Sequence, residues 1–359
     1  MANKPIHIVH IIPALPFGGA ERFLVDLINN SDPAKFKFSI ITTREENPLQ
    51  VEIKFPNVKV EIVPKRGKIS WHLFKDIENK LKILQPDIVH THLFTGDFWG
   101  RVAAKRLQIP VITTEHNINQ TESWLHGLVK KCLKNYSEFY TCPSQAVKNY
   151  LESYYKITKP ISLIRHGIEL TKFSSIPKIE LNKTIKFLIL GRITKQKGHA
   201  VALQALAGLK DYDWQLEIVG SGELETEIKN KILELNLESR VKMLPATSEV
   251  VEVMKSHQIL LVPSLWEGLG IVAMEAMASG RLVIASQVDG LPELIDNNKT
   301  GLLFTPGNVQ ALQAKLVWCF NNLSEVNNLA QAGRDYALTN FSVVEMTKKY
   351  EEIYLSLLK

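Results

Sequence analysis

Three features of the chain point to an α/β protein made of two Rossmann-like halves. Strand-like apolar runs alternate with helix-like stretches along its whole length. One polar, proline-containing stretch, Lys172 to Lys183, interrupts the alternation, and a second series of strands starts directly after it. At 359 residues the chain also exceeds most single cores, which suggests about two domains. The expected division is residues 1–170 and 171–341, with a linker near 170–183 and no repeat or low-complexity segment to argue otherwise.

Short β-branched and aromatic runs bounded by turn residues mark the strands. In the first half they are Ile6 to Ile12, Phe38 to Thr42, Val58 to Val63, Asp87 to His92, Val111 to Thr114, Glu138 to Thr141 and a short one at Ile161 to Ile164. The second half offers Ile185 to Leu190, Gln215 to Val219, Val241 to Met243, Ile259 to Val262, Leu282 to Ala285 and Gly301 to Phe304. A last amphipathic stretch, Val343 to Leu358, follows the second series.

Composition is that of an ordinary globular protein, 45% hydrophobic and 22% charged, with a mean hydropathy of −0.03. No apolar run approaches the roughly 20 residues a membrane span needs, and the first strand begins without a signal-peptide layout. A cytoplasmic location is therefore expected. The three cysteines, Cys132, Cys142 and Cys319, are odd in number and lack metal-type spacing, which suits a reducing compartment and three buried small hydrophobes.

The richest segment runs from Pro263 to Gly280. It follows the strand Ile259 to Val262, turns through Gly268-Leu269-Gly270 and enters a helix-like stretch with Ile271, Met274 and Ala278 on one face. Ligands of α/β sheets gather at the carboxyl ends of strands, where the next helix offers free N–H groups and the positive end of its dipole. The N–H groups of Leu269, Gly270 and Ile271 are expected to face a phosphate. Glu267 and Glu275 flank that anion site; since carboxylates repel phosphate, they are expected to accept from hydroxyls. A ligand with phosphates and many hydroxyls is a nucleotide-sugar.

The string around Glu267 and Glu275 resembles the EX7E motif of retaining glycosyltransferases of the GT-B architecture, above all family 4. That resemblance implies two Rossmann-like domains facing each other across a cleft, with the terminal helix, about residues 342–359, packing back on the first. It also implies transfer of a sugar from a nucleotide diphosphate-sugar, a UDP-sugar more than GDP-mannose, to a hydroxyl of a lipid-linked or surface-glycan acceptor. No cofactor, no metal and no nucleic-acid partner are implied; the nucleotide-sugar is a substrate.

Further strings match the same family. Phe17-Gly18-Gly19-Ala20-Glu21-Arg22 opens a helix after the first strand, and glycine lets backbone N–H groups come close to a phosphate. Gly191-Arg192-Ile193-Thr194-Lys195-Gln196-Lys197-Gly198 matches a GR…KG signature. In it Arg192 and Lys197 can grip a diphosphate and stabilise the charge that grows as the sugar leaves; Lys195 is a bystander. Gly220 and Gly222 close the next strand and resemble a loop beside base and ribose, while Ser286 to Glu293 resembles a lining element. His116, in Thr114-Glu115-His116-Asn117, matches a histidine that contacts the donor sugar, and Glu115 is a candidate to orient it.

Some residues depart from the family pattern or spell out rivals. His166-Gly167-Ile168-Glu169 stands where relatives have Asn-Gly-Ile-Asp, Arg281 replaces a small residue, and Arg165 and His166 could alter donor or acceptor choice. His90 and His92 share a strand face as a metal pair would, but no third ligand is evident in the sequence, so a core or rim role is expected. Asp211-Tyr212-Asp213 spells the metal motif of the other common transferase fold, yet it lies in a polar turn. An epimerase on the same fold and a catalytically inactive nucleotide-sugar binder are the alternatives; intact Arg192, Lys197, Glu267 and Glu275 argue against the inactive binder.

A net charge of +6 and the segment Trp124 to Lys134, which sets Trp124, Leu125, Leu128 and Val129 beside Lys130, Lys131 and Lys134, suggest an anionic membrane surface as a partner. The rival reading packs those apolar residues on the first domain.

Overall fold

A computed structural model describes residues 4–65, 71–118, 124–177 and 184–358. The chain divides into two compact units: Met1–Gly167 with Val343–Lys359, and Ile168–Ser342.

The first unit is built on seven strands: β1 (Ile6–Ile12), β2 (Phe36–Thr42), β3 (Lys59–Ile62), β4 (Ile88–His92), β5 (Val111–Thr114), β6 (Phe139–Cys142) and β7 (Ile161–Leu163). They form one parallel sheet in the order β3-β2-β1-β4-β5-β6-β7. Side chains alternate across the sheet. Val9, Ile11, Ile41, Val89 and Val111 face one way and pack with Leu73 and Ile77 of the helix Trp71–Leu84 and Ala103 of the helix Leu93–Arg106. In β1 and β4 the alternate positions are His10, His90 and His92, all fully buried. Rings from the helices Gly19–Asn29 and Val343–Ser356 cover them: Phe23 packs on His92, and Tyr350 and Tyr354 on His90.

The second unit has six strands: β8 (Ile185–Leu190), β9 (Trp214–Val219), β10 (Val241–Leu244), β11 (Ile259–Val262), β12 (Leu282–Ser286) and β13 (Leu302–Phe304). Their order is β10-β9-β8-β11-β12-β13, again all parallel. Here both faces are apolar. Ile185, Phe187 and Ile189 point into one buried layer, and Leu188 into the other, as expected of a parallel sheet covered on both sides. The helix Ile271–Ala278 is buried from Ala273 to Ala278, which explains why its sequence is apolar nearly all round.

All thirteen strands read from the sequence are present, with ends shifted by a residue or two. Part of the predicted linker is a short helix, Leu170–Ser174, whose Phe173 is buried in the second unit's core; residues 178–183 of it lie outside the described residues. Cys142 and Cys319 are buried as expected, but Cys132 is exposed: it ends the helix Trp124–Cys132 on its outer side. No described helix is long and apolar enough to cross a membrane.

Candidate active site

In the second unit the loops after β8, β9, β11 and β12 meet at the carboxyl ends of their strands. The β8 and β9 loops are joined by Ile193 N–H donating to Ser221 O at 2.9 Å and Leu224 N–H to Ile193 O at 3.1 Å. This puts Gly220 and Gly222 beside the Arg192 loop. Gln196 then ties that loop to the one after β11. Its carbonyl accepts from Leu265 N–H at 2.7 Å and its side-chain amide donates to Trp266 O at 3.0 Å. Lys197 is the next residue, and its Nζ donates to Glu267 Oε2 at 2.5 Å. Ser264 Oγ donates to the same oxygen at 3.3 Å.

Two glycines make this approach possible. Gly198 has φ +62°, and a Cβ there would collide with the Pro263 carbonyl. Gly270 has φ +100°, and its Cβ would come 2.8 Å from the Leu291 side chain. Gly270 caps the helix Ile271–Ala278, whose first N–H groups have no acceptor within the helix. The backbone bonds at this turn leave Leu269, Gly270 and Ile271 N–H without an acceptor among the described residues. Glu275, on the same helix, is buried.

The turn holding Glu267 is braced from the β12 loop. Asp289 Oδ2 accepts from Glu267 N–H at 2.9 Å, and Glu267 O accepts from Gly290 N–H at 3.3 Å. Burial pushes the Asp289 carboxyl above its ordinary range, partly offset by the N–H it accepts from. Sequence reasoning assigned this segment to lining; its aspartate sets the backbone of Glu267. Arg192 is exposed, and its guanidinium reaches Gln196 Oε1 at 3.4 Å. Arg281 is tied down elsewhere: buried, it donates to Met254 O at 2.8 Å and to Pro177 O at 3.2 Å.

In the first unit Gly18 and Gly19 open the helix Gly19–Asn29 at the carboxyl end of β1. His116 follows β5 and is 7% exposed. Its ring meets the edge of Phe23, with centroids 5.2 Å apart, and lies 5.5 Å from His166. His116 Nε2 is 3.0 Å from His92 Nδ1, and His92 Nε2 is 3.0 Å from His10 Nδ1. Both nitrogens of His166, and His116 Nδ1, are buried without a hydrogen-bond partner among the described residues.

Glu115 does not orient His116. Its carboxylate accepts from Lys130 Nζ at 2.9 Å, a pair buried on both sides. Lys130 is therefore not part of a surface lysine cluster. The apolar residues near it do not pack inward either: Trp124 is 73%, Leu125 52% and Leu128 50% exposed. Of the other lysines, Lys131 lies over the Tyr154 ring and Lys134 donates to Lys156 O.

Asp213 accepts from the Thr184 hydroxyl in its turn. Among the described residues, one group has metal-like spacing, His10 with His90 and His92. The third member, missing from the sequence reading, stands on β1, paired in register with His90.

Residues 17–172 match the model of Glycosyltransferase Family 4, and residues 172–336 match that of Glycosyl transferases group 1. An uncharacterized glycosyltransferase of Haemophilus influenzae is 30% identical over 85% of this chain and 87% of its own. An Escherichia coli protein, UDP-Gal:alpha-D-GlcNAc-diphosphoundecaprenol alpha-1,3-galactosyltransferase, is 24% identical over 99% of this chain and 98% of its own. Among solved structures, Anabaena HepE in complex with UDP-glucose superposes with a TM-score of 0.85, covering 98% of this chain and 100% of that one at 21% identity. Two parallel-sheet units, two adjoining family matches and a relative aligned over most of both chains make one case: this chain is a glycosyltransferase of the GT-B fold and belongs to family 4.

Proposed function

We propose that the enzyme is a retaining, metal-independent transferase that moves a sugar from a UDP-sugar to a hydroxyl of a lipid-linked or surface-glycan acceptor. The observation that carries this reading is the contact of Lys197 with Glu267 beside the open N–H groups of Leu269, Gly270 and Ile271. Cation, carboxylate and helix N-terminus together suit a donor with an anionic diphosphate at one end and hydroxyls at the other.

In this mechanism the bond from the anomeric carbon to the diphosphate oxygen breaks as the acceptor oxygen attacks from the same face. The departing phosphate oxygen takes the acceptor proton. Arg192 and Lys197 stabilise the charge that builds on the diphosphate, the work that a divalent ion does in other transferases. Glu267 accepts from hydroxyls of the donor sugar, Glu275 from those of the ribose, and His116 contacts the sugar at the reacting carbon. Gly18 and Gly19 let backbone N–H groups approach the donor phosphates, and Gly220 and Gly222 lie beside base and ribose. The names of the Escherichia coli relative and of the HepE complex support a UDP-sugar donor, and the former a lipid diphosphate acceptor.

A lipid-linked acceptor requires access to a membrane surface. Exposed Trp124, Leu125 and Leu128, with Lys131 and Lys134 near them, suit the anionic inner face of the cytoplasmic membrane.

The test is a panel of nucleotide-sugars offered with a polyprenyl-diphosphate sugar in EDTA, on anionic and on neutral vesicles. Transfer from a UDP-sugar, with the product anomer matching the donor by NMR and faster turnover on anionic vesicles, is the expected result. Loss of transfer in EDTA that Mg²⁺ restores, or an inverted product, would overturn the mechanism.

A further inference from the structure

β1 and β4 are in register at His10 and His90, and His92 stands two residues further on, so the three imidazoles share one sheet face. His92 uses both ring nitrogens: Nε2 toward His10 Nδ1 and Nδ1 toward His116 Nε2, each at 3.0 Å. His90 is occupied separately by Tyr354 Oη at 2.8 Å and Thr114 Oγ1 at 2.7 Å. A metal at His10, His90 and His92 would have to break into these bonds.

A neutral imidazole has one N–H and one lone pair. A bond between two imidazole nitrogens needs one of each, so the direction of one link in the chain dictates the other. Two arrangements exist. In the first, His10 Nδ1–H donates to His92 Nε2, His92 Nδ1–H donates to His116 Nε2, and His116 carries its own proton on Nδ1. In the second every bond reverses: His116 is bare at Nδ1, and His10 carries a proton on Nε2. Each arrangement leaves one N–H without a partner, and the atoms concerned, His116 Nδ1 and His10 Nε2, are both buried and unmatched among the described residues. They differ in surroundings. His10 is 0% exposed and packed between the Phe38 and His90 rings. His116 lies at the strand end with His166, whose two nitrogens are also unmatched. An N–H locked into the core has no route to an acceptor; at His116 a ligand can supply one.

We propose that His92 and His10 are positioning residues that hold His116 in its Nδ1–H tautomer, making neutral His116 a hydrogen-bond donor to an oxygen of the sugar ligand. Burial keeps the whole stack neutral: it holds His10 and His166 down to about 3 and His90, His92 and His116 well below the ordinary imidazole value. The proposal rests on the role given to His116 in the proposed function, but the tautomer is measurable without it.

The experiment uses the full chain with ¹⁵N-histidine and long-range ¹H–¹⁵N correlation, assigning His116 through His116→Gln. Wild type should show a protonated Nδ1 and a bare Nε2 on His116. His92→Phe keeps a ring in the stack but removes both bonds, and His10→Phe removes only the end of the chain; both should mix the two tautomers. UDP-sugar turnover should fall about ten- to hundredfold in His92→Phe, by analogy with loss of the group behind a metal-ligating histidine, with UDP affinity unchanged. His92→Asn, whose amide can turn either its N–H or its oxygen to His116 Nε2, should restore a bond to the ring but leave the two tautomers mixed. A bare Nδ1 in wild type, or a tautomer unmoved in both Phe variants, would overturn the relay. Mixed tautomers with full turnover would overturn the positioning role. An intact Nδ1–H in a wild type that hydrolyses or transfers no UDP-sugar would support the relay and fault the proposed donor instead.

Discussion

Each sheet is parallel throughout and the two have the same order of winding, but they bury different chemistry. The sheet of the second unit buries apolar side chains on both faces, with Ser286 as its buried polar residue among those described, and every candidate catalytic group of that unit stands on a loop beyond the strands. The sheet of the first unit carries His10, His90, His92, Thr91, Thr113, Thr114 and Thr141 within its strands, all buried. Thr114 Oγ1, for instance, is 2.6 Å from Thr141 Oγ1 and 2.7 Å from His90 Nε2. A dry platform tolerates loop variation because loops and core have separate tasks. A hydrogen-bonded platform does not separate them: its polar groups find partners in the sheet and in the elements packed on it, so stability and site geometry depend on the same protons.

The largest expected consequence is a difference in acid sensitivity. Five imidazoles of the first unit, those of His10, His90, His92, His116 and His166, are held neutral by burial. Unfolding would return each to its ordinary value near 6.5. Between the folded and unfolded values the unfolded chain binds more protons, so stability rises with pH in that window. The contribution is fully present above pH about 6.5 and is lost as pH falls below it, for His10 and His166 until pH reaches about 3. In the second unit His199, held down to about 4, and His257 make the same kind of contribution. Hydrogen exchange at pH 5 against pH 7.5 should therefore show the first unit opening first. Earlier loss of protection in the second unit would break the comparison.

Next in size are the loop cations, which should act on chemistry and leave the platform alone. Arg192→Ala and Lys197→Ala should each cost about 3 kcal/mol of transition-state stabilisation, roughly a hundredfold in rate. Exposed Arg192 should leave the melting temperature almost unchanged, whereas Lys197→Ala strips the buried Glu267 of its cation and should lower it somewhat. Near-normal turnover in both variants would remove the diphosphate role.

The smallest effect separates the two carboxylates. Glu275→Gln should weaken UDP binding about tenfold, equivalent to about 1.4 kcal/mol, by calorimetry. Glu267→Gln should leave UDP binding intact and impair transfer. Equal losses of UDP affinity in both would merge their roles.

Much of this was legible in the sequence because it is local. Strands show as short β-branched runs between turn residues, and the loops of the second unit as glycine-punctuated strings, since a positive φ at Gly198 or Gly270 leaves its mark in the residue type. The pairings across distance were not legible. His10 reads as one of two histidines in an otherwise apolar strand, and nothing in its neighbours says that it meets His92, 82 positions away. Register alone brings them together. Lys130 looked like one of three surface lysines, because its partner Glu115 sits on another element. Asp289 reads as part of a lining element, and its bond to Glu267 N–H depends on two strand ends lying side by side.

The division of the chain has a consequence for synthesis. Ile168 N–H donates to Phe341 O at 2.9 Å, so the two ends of the second unit meet and the first unit is interrupted at a single point. A ribosome therefore makes the sheet of the first unit, then an entire second domain, and only afterwards the helix that carries Tyr350 and Tyr354. Until that helix emerges, Thr141 lacks the Tyr350 hydroxyl and His90 Nδ1 lacks the Tyr354 hydroxyl. Domains usually mature in the order they are translated. Here the half translated first is the half completed last, and the part of its polar strand face around His90 and Thr141 waits for its helical cover while residues 168–342 are translated.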